Sequence, residues 1–204
     1  MDARILLIRH AETQTPDRFH GAESDVGLGD RGRRQAVHLA GAIAAEGPGL
    51  VIASAMRRAL ETARPVAEAA GVPLRVVEAL HERRMPTLSG RAKAEAWGIY
   101  ESTMARWMAG DLDHAEMPGD ESYSQVRDRV VPAFLGAIEG SRGRTTVVIL
   151  HGLVIRVLLT ILLPDLGPAD FGRVGIDNCA INDLRWDGER WRAEALNRTP
   201  EGLP

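Results

Sequence analysis

TTVVILHGLVIRVLLTILL, residues 145–163, joins two structural signals end to end. Thr145 to Leu150 is a short apolar run, the pattern of a strand buried on both faces. Gly152 to Leu163 reads as a helix that Pro164 ends, and His151 stands at the junction. The same alternation runs through the preceding chain. Residues 4–8 (RILLI) read as a strand, and a polar loop follows from Ala11 to about Asp30. Arg33 to Ala45 reads as a helix with Ala36, Leu39, Ala40 and Ile43 on one face. Residues 50–53 (LVIA) form a second strand, Arg57 to Ala70 a helix stopped by Gly71 and Pro73, and Leu74 to Val77 a third strand. About Ala92 to Ala109 is helical by composition. Pro118-Gly119-Asp120 is a turn, and Asp120 or Ser122 is placed to cap a helix running to about Ile138. Near the C-terminus, Asp187-Gly188 between alternating runs signals a hairpin. Strands alternating with helices imply an α/β domain, three layers deep, with a mainly parallel sheet. No linker divides residues 1–204, which are expected to form a single domain, with about 84–120 as a cap-like insertion.

Composition narrows the function. The 204 residues are 45% hydrophobic and 26% charged, ordinary globular values, with a net charge of −3. That charge gives no reason to expect a nucleic-acid or anionic-membrane partner, and an aromatic content of 4% offers few platforms for stacking bases. No apolar run approaches the roughly 20 residues of a membrane span, and no signal-peptide pattern opens the chain, so the expectation is a cytoplasmic protein. The one cysteine, Cys179, excludes an internal disulfide and a Cys-based zinc site, and is expected to be a buried small hydrophobe. Of 25 basic residues only Lys93 is lysine, and no Gly-x-x-x-x-Gly-Lys-Ser/Thr loop is present. Any phosphate chemistry must therefore use arginine, histidine and backbone amides.

Ligands of open α/β sheets bind beyond the carboxyl ends of the strands. The residues there are Arg9-His10-Ala11-Glu12, then Ser54 with Arg57 and Arg58, then Glu78 and Glu82-Arg83-Arg84, then His151-Gly152. Two histidines, several arginines and a glutamate thus meet at one sheet edge. A lone strand-end His is more often structural, and a His10–His151 metal site lacks a third ligand at tight spacing. His20, His38, His81 and His114 read as surface or loop residues.

These residues resemble the histidine phosphatase superfamily, which includes the cofactor-dependent phosphoglycerate mutases. Arg9-His10-Ala11-Glu12-Thr13 is similar to the family's Arg-His-Gly-Glu-Thr/Ser. Asp25 through Gly32 with Gln35-Ala36 is similar to Asp-x-x-Leu-x-x-x-Gly-x-x-Gln-Ala. Ser54 through Ala63 resembles Ser-x-x-x-Arg-Ala-x-x-Thr-Ala, a spacing that selects Arg58 over Arg57. Leu80-His81-Glu82-Arg83 fits the acid-bearing segment, Gly119-Asp120-Glu121-Ser122 resembles Gly-Gly-Glu-Ser, and His151 through Arg156 is similar to the second histidine motif. The resemblance covers nearly the whole chain and implies a phosphoglycerate mutase-like fold.

It also implies a reaction: metal-independent hydrolysis of a small phosphorylated metabolite through a phosphohistidine on His10, of the histidine acid phosphatase type, with no cofactor. Arg9 and Arg58 would bind the phosphoryl oxygens, His151 would add a donor, and Glu82 would protonate the leaving alkoxide. Glu12 is the alternative acid, but is expected to pair with Arg9. The substrate-binding candidates are Arg9, Gln14, Arg18, Gly21, Arg58 and Gly152. The family's Trp-Asn is replaced by Thr15-Pro16, so Gln14, Thr15 or Arg18 would have to stand in for the asparagine. Arg83, Arg84 and the segment from Trp97 to Trp107 are placed to shape the mouth, the two arginines favouring an acidic substrate. The short interval from Glu82 to His151 favours a phosphatase over a mutase-type phosphoryl transferase. A non-catalytic phosphate-binding module fits less well, because every core residue is present. The chain is expected to be a monomer or homodimer.

Overall fold

A computed structural model describes residues 3–204. Five α-helices and six strands alternate along the chain: β1 (Ala3–Arg9), α1 (Asp30–Ala44), β2 (Leu50–Ser54), α2 (Arg57–Ala70), β3 (Leu74–Val77), α3 (Lys93–Met108), α4 (Tyr123–Ile138), β4 (Thr145–Leu150), α5 (Gly152–Leu162), β5 (Ile181–Trp186) and β6 (Trp191–Arg198). They form one sheet in the order β3-β2-β4-β1-β5-β6. β3, β2, β4 and β1 are parallel, with Ile8 beside Ile149, while β5 and β6 add an antiparallel edge through the Asp187-Gly188 hairpin.

The central strands β1, β2 and β4 are apolar on both faces because helices cover both. Leu6, Ile8, Val51, Ala53, Val147 and Ile149 pack with Leu39 and Ile43 of α1 and Ala59, Ala63 and Val66 of α2. Ile5, Leu7, Ile52, Val148 and Leu150 face the other way, onto Val130 and Phe134 of α4, Val154 and Leu158 of α5, and Trp107 of α3. Successive side chains of a strand point to opposite faces, so one pentapeptide, Arg4-Ile5-Leu6-Leu7-Ile8, contributes to both cores. Among the described residues no helix is long and apolar enough to cross a membrane.

Two local devices bear on the site. α1 begins at Asp30, three residues before its apolar stripe suggests, because Asp30 in the first turn suits the helix dipole and pairs with Arg33 at 2.7 Å. This early turn brings Gly32 against the loop after β1, where a Cβ would stand 1.9 Å from the Glu12 carbonyl oxygen. Only glycine permits that approach. Of the two cap candidates for α4, Ser122 takes the role: its Oγ accepts from Gln125 N, and Gln125 Oε1 accepts from Ser122 N. Asp120 instead accepts from Thr87 N, and Glu121 accepts from Arg84 N. Residues 83–87 and 120–121 therefore lie side by side, and the chain between them carries α3 out over the strand ends.

Candidate active site

Beyond the carboxyl ends of β1, β2 and β4 lies a cleft of about 240 Å³. Arg9, His10, Arg18, Arg58, Glu82 and Gly152 line it. His151 is wholly buried just behind His10, the two rings 5.3 Å apart between centroids. Gln14 is exposed and does not line the cleft, because its backbone is drawn to Gly27 on the far side of the loop. Gly21 lies one layer below, where its carbonyl faces the Arg58 guanidinium at 3.5 Å. Pro16 stands in the cleft wall while Thr15 turns its hydroxyl to His20. Of the proposed stand-ins for the missing asparagine, only Arg18 lines the cleft, with its guanidinium on the Gly90 carbonyl.

His10 is buried, and its Nδ1 lies 2.7 Å from the Ala11 carbonyl oxygen. A carbonyl only accepts, so Nδ1 carries the proton. Nε2, without a protein hydrogen bond, keeps its lone pair. Burial, then the charges of Arg58 and Arg9, push the His10 pKa well below the usual 6.5, so the ring is neutral at physiological pH. Asn178 fixes the backbone by donating to the His10 carbonyl, and Thr62 Oγ1 accepts from Ala11 N. His151 Nε2 lies 2.8 Å from Ser54 Oγ, which also receives the Met56 N–H. The Ser54 hydroxyl can donate to Nε2 while accepting from Met56, and the other ring nitrogen, Nδ1, is a buried atom with no protein partner. Burial, then Arg58, lowers this histidine's pKa as well.

Arg58 projects from the first turn of α2 and is fully buried. Its guanidinium donates to the carbonyls of Ser24 and His20, and burial lowers its pKa to about 10, which leaves it cationic. Arg9 donates to the Ile176 carbonyl and keeps a buried, unpartnered Nε. Glu82 follows the 3₁₀ turn after β3. Arg83 N and Leu153 N, the latter in the first turn of α5, hold its two carboxylate oxygens at 2.8 and 3.2 Å.

Several expectations are corrected. Glu12 pairs with Arg31 at 3.0 Å, not with Arg9, because Arg31 rises from the early first turn of α1 beside it. His20 is the half-buried loop residue expected, but the loop brings it into the cleft lining, held by Thr15 and Ser24. Arg84 is exposed and outside the cleft, whereas Arg83 is buried in its wall, and Trp97 lines the mouth while Trp107 is wholly in the core. Cys179 is buried, its thiol pushed up to about 12 by desolvation. Ser54, Thr62 and Asn178 support the histidines without having been assigned a role from sequence. Ser54 and Thr62 lie inside a quoted motif, whereas nothing local marks Asn178.

Two neutral buried histidines set a pH dependence of stability. Unfolding raises both pKa values to about 6.5, so the unfolded chain binds more protons below that pH. Stability is fully present above pH 6.5 and falls as pH drops toward the depressed folded values. The expected slope is about 1.4 kcal/mol per pH unit for each histidine. Urea melts at pH 7.5, 6.5 and 5.5 test this: His10→Gln should flatten the profile, and an unchanged profile would show that His10 is not neutral in the native state.

The family profile for the histidine phosphatase superfamily (branch 1) matches residues 5–199. A probable phosphoglycerate mutase of Salmonella paratyphi C, GpmB, is 26% identical over 191 residues, 93% of this chain and 88% of that one. The solved structure of a protein described as mycobacterial hydrolase 1 superposes with a TM-score of 0.85 at 27% identity, over 98% of this chain and all (100%) of the other. A mycobacterial glucosyl-3-phosphoglycerate phosphatase gives a TM-score of 0.83 at 26% identity, over 98% and 100%. The profile begins in β1 and ends just after β6, so it takes in every element that positions the cleft, and the chain belongs to the histidine phosphatase superfamily.

Proposed function

We propose that this chain is a phosphomonoesterase of the histidine acid phosphatase type, hydrolysing a small phosphorylated metabolite through a phosphohistidine on His10, without a metal ion. The observation that carries this reading is the state of His10: neutral, with Nδ1–H held by the Ala11 carbonyl and Nε2 free beside two arginines. Nε2 attacks phosphorus, the P–O ester bond breaks, and Glu82 gives its proton to the departing alkoxide. Water then attacks the phosphoryl group, the N–P bond breaks, and Glu82 takes back a proton from that water. Arg9 and Arg58 carry the charge that spreads over the equatorial oxygens, a task suited to planar forks of donors. With its proton on Nδ1, the ring nitrogen without a protein partner, His151 supplies a further donor. Because His10 remains neutral well below pH 6.5, the nucleophile survives on the acid side of neutrality. The mycobacterial phosphatase at a TM-score of 0.83 supports hydrolysis. The mutase-named relatives keep transfer to a second alcohol as the other reading, which product analysis separates from release of inorganic phosphate.

Leaving-group dependence tests the role of Glu82. In chelator-treated buffer, Glu82→Gln should slow hydrolysis of an alkyl phosphate about 10²–10⁴-fold. An activated aryl phosphate, whose phenolate leaves without a proton, should lose far less. Equal losses on both would remove Glu82 from the general-acid role, and activity abolished by chelator would end the metal-free reading.

A further inference from the structure

We propose that the ion pair of Glu121 and Arg129 positions the general acid, holding the chain on both sides of Glu82 so that its carboxyl meets the leaving oxygen; this rests on the phosphomonoesterase reading and on Glu82 as the acid. Glu82 stands in residues 81–85, which belong to no helix or strand. No ladder supplies their hydrogen bonds, so the backbone must find partners elsewhere. One pair supplies several of them. Arg129 of α4 donates from Nη1 to the Ala79 carbonyl at 2.8 Å and to the His81 carbonyl at 3.0 Å, and Nη2 reaches the Glu82 carbonyl at 3.5 Å. Its Nε and Nη2 grip Glu121 Oε1 and Oε2 at 2.8 and 2.7 Å, the two-point geometry of a guanidinium on a carboxylate. Glu121 Oε2 in turn accepts from Arg84 N at 2.8 Å, the Glu121 N–H donates to the Arg84 carbonyl at 2.8 Å, and the Glu121 carbonyl accepts from Arg83 Nε at 2.7 Å. The arginine thus holds the chain up to Glu82, and the glutamate holds the chain after it.

Neither residue lines the cleft, so the pair acts from behind it. Its side chains are largely buried, 17% and 13% exposed. Burial opposes the Glu121 charge, but the Arg129 guanidinium and the Arg84 amide outweigh it and hold the carboxyl below its ordinary range. An isolated surface ion pair would contribute little. This one is two-pointed, shielded from solvent and shared with the backbone of residues 79, 81, 82 and 84. Its base is firm as well. Ser122 and Gln125 cap α4 immediately after Glu121, and Val126, Val130 and Phe134 sink that helix into the core. The pair therefore passes the position of a packed helix to a segment with no regular structure of its own. That segment includes Arg83 N, which holds one Glu82 carboxylate oxygen at 2.8 Å, so a slack backbone here would displace the acid itself.

The test compares propyl phosphate, whose alkoxide must be protonated to leave, with 4-nitrophenyl phosphate, whose phenolate leaves without a proton. Arg129→Met should lower kcat on propyl phosphate about 10- to 100-fold, the cost of an acid displaced by about an ångström, with KM within about twofold of wild type. On 4-nitrophenyl phosphate the loss should stay within about threefold. Arg129→Lys keeps the charge without the fork and should recover part of the propyl phosphate rate. Added to Glu82→Gln, Arg129→Met should cost less than about threefold more, because the acid it serves is already gone. Equal losses on the two esters, or losses that multiply in the double variant, would overturn the proposal and leave a structural ion pair. If Arg129→Met does not fold, Glu121→Gln carries the same comparison, since it keeps an acceptor for Arg84 N and gives up the ion pair. Glu82→Gln alone separates the two readings. If it loses both esters equally, the general-acid reading falls and the positioning pair with it; if it is selective and the Arg129 and Glu121 variants are not, only the positioning role falls. No turnover of either ester by the wild type would overturn the hydrolase reading and this proposal together.

Discussion

Replacing His10 with alanine is expected to lower turnover of every phosphomonoester by roughly four to six orders of magnitude, the scale seen when a covalent nucleophile is removed. The size follows from what surrounds the ring. The hydrogen bond to Ala11 orients the imidazole, the Asn178 side chain fixes its backbone, and both arginines face the same cleft. His151 cannot take over, because it is wholly buried behind His10 with its Nε2 engaged by Ser54. Phosphate should still bind to His10→Ala, since the arginines remain. The companion measurement is trapping: alkaline denaturing quench of the wild type during turnover of a ³²P-labelled ester should leave base-stable, acid-labile label on the protein, and the variant should carry none. Turnover within tenfold of wild type in His10→Ala, or labelling that persists, would exclude His10 as the nucleophile.

Arg58→Ala should cause the second large loss, about 10³–10⁵-fold in kcat/KM, comparable to removing an arginine that neutralises a transferring phosphoryl group. Arg58 has two duties, and the measurement must separate them. Its guanidinium gathers the carbonyls of His20 and Ser24, so deletion leaves buried acceptors unmatched at a cost of about 1–3 kcal/mol in stability. A urea melt reads that cost, and inhibition by vanadate reads the loss of the phosphoryl site. Arg58→Lys keeps one charge but lacks the fork, and should recover stability more fully than rate. If Arg58→Ala melted earlier yet kept normal kcat/KM and vanadate inhibition, the residue would be purely structural.

The alternation of apolar runs makes the fold legible in the sequence, because each strand buried on both faces is written in five to seven contiguous letters. Strand-end placement also brought Arg9, His10, Arg58, Glu82 and Gly152 to one edge, and the structure gathers them at one cleft with His151 behind. The reading failed where the outcome depended on partners remote in sequence. Proximity in sequence pairs Glu12 with Arg9, but Arg31 takes it across a tight helix start. Gln14 and Arg84 have the right chemistry and the wrong direction, a difference of one residue in a loop. His20 gave no periodic signal, yet the loop folds it into the cleft wall.

Local pattern is enough to place strands, helices and the residues that follow them, since period and punctuation act within a few positions. It cannot assign tautomers or unpaired donors, which depend on groups far away in the chain. Asn178 meets His10 across 168 positions, and Ser54 meets His151 across 97. Packing in three dimensions buried the Arg83 fork without a partner while Arg84, its neighbour in the chain, stayed in solvent. Burial and hydrogen-bond supply are properties of the folded neighbourhood, so the same residue type one position apart acquires a different chemistry.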